Sequence, residues 1–121
     1  MDLDWLKRKC NISEYDGYLE VSLPILMTLS ENCCNLVLTV ELEDNGDYTV
    51  YATDDMFEDS GYYPSRSYDA FVADEKNKSY SIKYEDGKFT RSFKKSDNPV
   101  FAMHYFVKFF IAFNDFVISN F

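Results

Sequence analysis

A chain of 121 residues makes one domain, 1–121, long enough to bury a core without disulfides or metal staples. Eleven Phe, ten Tyr and one Trp exclude a disordered chain. Twenty-one Asp and Glu against 12 Lys and Arg leave a net charge of −9, which argues against direct nucleic-acid binding and makes basic protein surfaces the expected partners.

At the start of the chain, residues 2–9 can form a short helix. Asp2 or Asp4 would cap it, Trp5 and Leu6 would dock it, and Lys7, Arg8 and Lys9 suit its C-terminal end. No apolar run follows, so a signal peptide is not expected and the expected location is cytoplasmic. Cys10, Cys33 and Cys34 are odd in number and lack metal-ligand spacing; reduced thiols are expected, with no metal and no cofactor.

Gly17 is expected to open a strand in which Leu19, Val21 and Leu23 alternate with Tyr18, Glu20 and Ser22. Pro24 limits ladder pairing beyond it. Residues 25–35 are compatible with a short helix or a loop. From Leu36 to Glu43 the alternation is clearest, with Leu36, Leu38, Val40 and Leu42 on one face and Val37, Thr39, Glu41 and Glu43 on the other. Asn45-Gly46 then signals a hairpin, and Tyr48 to Thr53 is the returning strand. The irregular stretch 54–71 reads as a loop with helical turns, with a short helix near Tyr68 to Ala73.

A second hairpin is expected where Tyr80, Ile82 and Tyr84 alternate, Asp86-Gly87 turns, and Phe89, Arg91 and Phe93 return. Asn98 is the expected N-cap and Pro99 the first residue of a final helix reaching about Asn120. Residues 100–118 are nearly apolar enough for a membrane span. Yet His104, Lys108, Asp115 and Ser119 share one stripe opposite Phe106, Phe110, Phe113 and Val117, the pattern of a core helix with a thin wet strip. No membrane association is therefore expected. The predicted fold is α+β: an antiparallel sheet of four to five strands in two hairpins, a long apolar C-terminal helix packed on one face, and a short N-terminal helix.

The run Asp16-Gly17-Tyr18-Leu19-Glu20-Val21-Ser22-Leu23-Pro24, followed by the Leu36 strand, the Asn45-Gly46 turn and Thr53-Asp54-Asp55, resembles an uncharacterised domain family of prophages and other mobile elements. That resemblance implies a similar strand set and an apolar C-terminal helix, and a phage or mobile-element setting, but no catalytic residue. Where the family pattern has Gly after the Asp pair, this chain has Met56.

The residues spell out no enzyme. His104 is the sole histidine, and nucleophile elbows, P-loops and zinc-binding helices are all missing. Asp44-Asn45-Gly46-Asp47 lacks the ligand spacing of a calcium loop. A metal-dependent nuclease built from Asp54, Asp55, Glu41 or Glu43, with Lys88 assisting, has no supporting spacing.

Charge is distributed very unevenly. Twelve acids and no Lys or Arg lie between Cys10 and Ser65, while residues 66–121 carry nine bases and seven acids. Solvated acidic surface is the ordinary reading of such a run. Uncompensated self-repulsion points instead to a basic partner that relieves it. The expected partner-binding residues are Glu41, Glu43, Asp44, Asp47, Asp54, Asp55, Glu58 and Asp59, with Tyr51, Phe57, Tyr62 and Tyr63 as aromatic anchors. The expected function is a small protein-binding inhibitor of phage or mobile-element origin. It would block a basic nucleic-acid-binding surface of a host defence protein, as an anti-CRISPR protein does by phosphate mimicry. The alternative is a structural or accessory interaction module of a phage or mobile element, homodimeric through the Phe-rich helix; a divergent metal-dependent nuclease stands third.

Overall fold

The computed structural model describes residues 11–26, 35–55 and 64–120. The expected N-terminal helix, the three cysteines and residues 27–34 lie outside them. Among the described residues the sheet has six strands, more than the four to five expected: β1 (Asn11–Tyr15), β2 (Tyr18–Leu26), β3 (Asn35–Leu42), β4 (Tyr48–Thr53), β5 (Lys83–Glu85) and β6 (Lys88–Phe93). Their spatial order is β1-β2-β3-β4-β6-β5, and every neighbouring pair is antiparallel. Three helices complete the described fold: α1 (Pro64–Val72), α2 (Glu75–Lys78) and α3 (Pro99–Asn120).

The additional strand is β1. Its sequence, Asn-Ile-Ser-Glu-Tyr, carries one apolar residue on the core side, Ile12, so alternation alone does not reveal it. It sits at the sheet edge, where a polar strand has only one neighbour to satisfy. Asp16-Gly17 closes the hairpin, with Tyr15 opposite Tyr18 and Gly17 at φ +83°. Gly17 therefore ends a turn within a hairpin and does not simply open β2.

In β2 to β4 the expected alternation holds. Leu19, Val21, Leu23, Leu36, Leu38, Val40, Tyr48, Val50 and Ala52 are all buried. Leu42 is the exception, 43% exposed at the end of β3. Around Pro24 the β2–β3 register shifts between Leu23 and Leu26, as a residue without an amide donor requires.

The third hairpin starts later than the alternation of Tyr80, Ile82 and Tyr84 implies. Asp74 caps α2 by accepting from the Lys76 amide, and Ser81 takes φ 55°. The carbonyls of Tyr80 and Ile82 accept from the Arg91 guanidinium (2.8 Å) and the Tyr68 hydroxyl (2.5 Å). Ser81, the residue a longer ladder would pair next, instead donates its amide to the Lys78 carbonyl (3.1 Å) at positive φ, and pairing begins at Lys83. Asp86 (φ 53°) and Gly87 (φ 74°) form the two-residue turn. A Cβ on Gly87 would also lie 3.4 Å from the Asp54 carboxylate. Gly87→Ala is therefore expected to lower stability by about 1–2 kcal/mol through left-handed strain. Urea denaturation monitored by circular dichroism measures this, and an unchanged midpoint would contradict the turn geometry.

Helix α3 begins as expected. The Asn98 side chain accepts from the Val100 amide at 2.9 Å, and Pro99 occupies the first turn, where no amide is needed. The helix is long and apolar enough to cross a membrane by length and composition. In this fold Phe106, Phe109, Phe110, Phe113 and Val117 are buried. Phe89 of β6 meets Phe109, Phe110 and Phe113 with ring centroids 5.2–5.9 Å apart. From the other side, Phe71 of α1 packs edge-on against Phe109 and Phe113. Its exposed face is less polar than the thin strip expected. His104, Lys108, Asp115 and Ser119 are exposed there, but so are Phe101, Tyr105, Ile111 and Ile118.

Candidate protein-binding surface

Since α1 and α3 cover one face of the sheet, register decides what the other face carries. Among the described residues no helix lies on it. One row across the strands reads Tyr15, Tyr18, Glu41, Thr49, Ser92. The next reads Ser13, Glu20, Thr39, Tyr51, Thr90, Lys83. This face is short of aliphatic residues, so it adds little to the core. Its larger side chains instead form two small groups.

The first group spans β1 to β3. Tyr15 and Tyr18 stack with centroids 4.8 Å apart and planes 10° off parallel, and Tyr15 remains 48% exposed. Glu41 is the cross-strand partner of Tyr18, and Glu20 is its diagonal neighbour on β2. Diagonal neighbours across an antiparallel pair stand about 7–8 Å apart, close enough for one cationic group to serve both carboxylates. The second group centres on Tyr51. Partial burial, and next the negative charge of Glu41, push its phenol above the ordinary value. Lys88 Nζ lies 4.4 Å above the Tyr51 ring, a cation–π contact that brings a positive charge to this half of the face. The face is therefore graded, acidic and aromatic over β1–β3 and joined by Lys83 and Lys88 over β5–β6.

The structure separates the remaining expected site residues. Glu43 and Asp44 are exposed at the β3–β4 turn. Asp47, in the same turn, is a structural residue. Its amide donates to Asn45 Oδ1 (2.9 Å), its carboxylate accepts from the Lys95 amide (2.9 Å), and Lys94 Nζ stands 3.8 Å away. The Lys95 amide is the main reason its carboxyl titrates below the ordinary value. Asp54 is at the opposite end of β4, about 20 Å from Asp47 at strand rise. It accepts from the Tyr84 hydroxyl (2.5 Å), and its amide donates to the Gly87 carbonyl (2.9 Å). Asp55, beside it, is exposed. Phe57, Glu58, Asp59, Tyr62 and Tyr63 lie outside the described residues. Of the expected site residues, then, Glu41 and Tyr51 share the open face, Glu43 and Asp44 stand free at the turn, and Asp47 and Asp54 are committed to holding turns.

Tyr15, Tyr18 and Glu20 belong to the surface although sequence reasoning left them out of the site. The signal was Asp16-Gly17, the same dipeptide that marks the turn at Asp86-Gly87. Read as a hairpin, it places Tyr15 beside Tyr18 and both on the face of Glu41.

A shallow depression lined by Glu43, Asp47, Ser92, Phe93, Lys94 and Asp97 adjoins the turn. Two of its three carboxylates accept from backbone amides, Asp47 from Lys95 and Asp97 from Lys94 (2.8 Å), so it is built as a turn junction. Among the described residues no three His, Cys, Asp or Glu side chains come together as a metal site. No protein-family model, curated protein or solved structure matches this chain.

Proposed function

We propose that the acidic, tyrosine-bearing half of the open sheet face binds a basic protein surface. In the most concrete form of this reading the chain is an inhibitor of mobile-element origin that occupies a nucleic-acid-binding groove of a host defence protein. The observation that carries it is the grouping of Glu20 and Glu41 with the exposed Tyr15–Tyr18 stack on a face the core does not use. Supporting it is the stretch from Cys10 to Ser65, which supplies twelve acids without one Lys or Arg. The two carboxylates would stand where phosphates stand and steer encounter, and the stacked tyrosines would supply rigid contact area that slows release.

The partner is found by capturing bacterial lysate proteins on the immobilised chain and identifying them by mass spectrometry. Surface plasmon resonance at two salt concentrations then tests the mechanism. Glu20→Lys combined with Glu41→Lys is expected to slow association by about tenfold or more at low salt, and by less at high salt. Tyr18→Ala should act mainly on dissociation. Glu75→Lys, on α2, should change little. Association that is indifferent to salt and to the Glu20 and Glu41 reversals would refute the phosphate-mimic reading.

A further inference from the structure

We infer that the exposed face of α3 is a docking surface for a second copy of this chain, packed antiparallel about a two-fold axis near residues 111–112. Phe101 is 63% exposed and Ile118 60%, and Tyr105 and Ile111 are exposed with them. Four large apolar side chains exposed on one helix face make a patch of the kind that marks an interaction site. The occupant is decided by the charges within that stripe. Lys108 and Asp115 are both exposed, and neither has an ion-pair partner among the described residues.

At 100° per residue Lys108 and Asp115 lie within about 20° of each other, along the middle of the exposed arc. Ile111 and Ile118 flank them on one side, Phe101 and Tyr105 on the other. A two-fold axis perpendicular to the helix and midway between positions 108 and 115 maps each residue onto the opposite end of its partner helix. Lys108 of each copy then faces Asp115 of the other, twice over by symmetry. The same operation brings the two Ile111 side chains together beside the axis. A parallel arrangement would instead set Lys108 against Lys108 and Asp115 against Asp115, so the charge pattern selects the antiparallel pair. One Lys balanced by one Asp also gives the stripe no excess of cations with which to seek an anionic membrane. This surface lies on the far side of the molecule from the open sheet face, so the inference stands independently of the inhibitor reading.

Sedimentation equilibrium of the full chain tests it. The wild type should show a reversible monomer–dimer equilibrium. Lys108→Glu and Asp115→Lys should each weaken it by about tenfold or more, because each sets like charges together at two symmetric contacts. The double variant Lys108→Glu/Asp115→Lys should restore it, since the swapped charges again face one another. All these sites are exposed, and circular dichroism checks that each variant is folded. In a background with Cys10, Cys33 and Cys34 changed to Ser, Ile111→Cys should form an interchain disulfide under mild oxidation. A chain that stays monomeric at high micromolar concentration overturns the inference. So does a double variant that associates no better than the single ones. A monomer that floats with phosphatidylcholine vesicles in an Ile111-dependent way would assign the stripe to lipid instead.

Discussion

Phe89→Ala is expected to destabilise the protein by about 3–5 kcal/mol, the range for removing a fully buried aromatic side chain. For a chain of this size that corresponds to a fall in melting temperature on the order of 10–20 °C. Phe89 is fully buried and lies where the sheet meets α3 and α1. Its ring approaches Tyr84 at 4.6 Å, Phe110 at 5.2 Å, Phe113 at 5.6 Å, Phe109 at 5.9 Å and Tyr68 at 6.3 Å. Truncation removes edge-to-face contacts with several elements at once and leaves a cavity among rings that cannot all close in. Leu42→Ala, half-exposed on the same side of the sheet, should cost less than about 1 kcal/mol. Calorimetry of the two variants provides the comparison. Equal losses would mean that the aromatic cluster is not the centre of the core.

Raising the pH through the alkaline range is expected to unfold the protein cooperatively, with much of the loss assigned to two tyrosines. Burial, assisted by the nearby Asp97 carboxylate, pushes the Tyr48 phenol up to about 12. Burial, followed by its hydrogen bond to Asp54 and the charge of that carboxylate, pushes Tyr84 up to about 12. Both folded values lie above the ordinary 10.0. Each phenol therefore keeps its proton in the native state over a range where the unfolded chain has released it. The native state binds more protons, so unfolding stability falls as pH rises. The contribution is whole below about pH 10 and is lost as the pH climbs toward about 12. Tyr48 also donates to the Asp97 carbonyl at 2.8 Å, a bond that the phenolate cannot make. Denaturant midpoints across this range should fall steeply for the wild type. They should fall less steeply for Tyr48→Phe and Tyr84→Phe, which start lower because each loses a hydrogen bond but have one fewer proton to lose. Identical slopes in all three proteins would show that other groups drive the alkaline transition.

Local pattern decides much of the fold. Leu36-Val37-Leu38-Thr39-Val40 alternates because one face of β3 is buried and the other is not. Asn98-Pro99 starts α3 because capping and a fixed φ act within one turn. Polar strands are harder to read. β1 has Ile12 as its only core-side apolar residue, and only the Asp16-Gly17 turn betrays it. Conversely, Tyr80 and Ile82 have the alternation of a strand and do not form one, because Ser81 between them sits at positive φ with its amide on the Lys78 carbonyl of the preceding turn.

The candidate site divides in the same way. The concentration of acids between Cys10 and Ser65, without one basic residue, is a property of the sequence alone. So is the amphipathic phase of α3, which sets Lys108 and Asp115 on the arc opposite Phe106 and Phe113. Tertiary structure alone decided which acids are free. Asp47 and Asp54 look like Glu41 in the sequence, but β6 brings the Lys95 amide to Asp47, and the β5–β6 hairpin brings the Tyr84 hydroxyl to Asp54. It also decided that Tyr15, Tyr18, Glu20 and Glu41 share one face, because side-chain alternation specifies a face but says nothing about which strand lies alongside. Periodicity and capping act over a few bonds and are written locally; strand order and hydrogen-bond partners are chosen by the whole chain as it buries its rings.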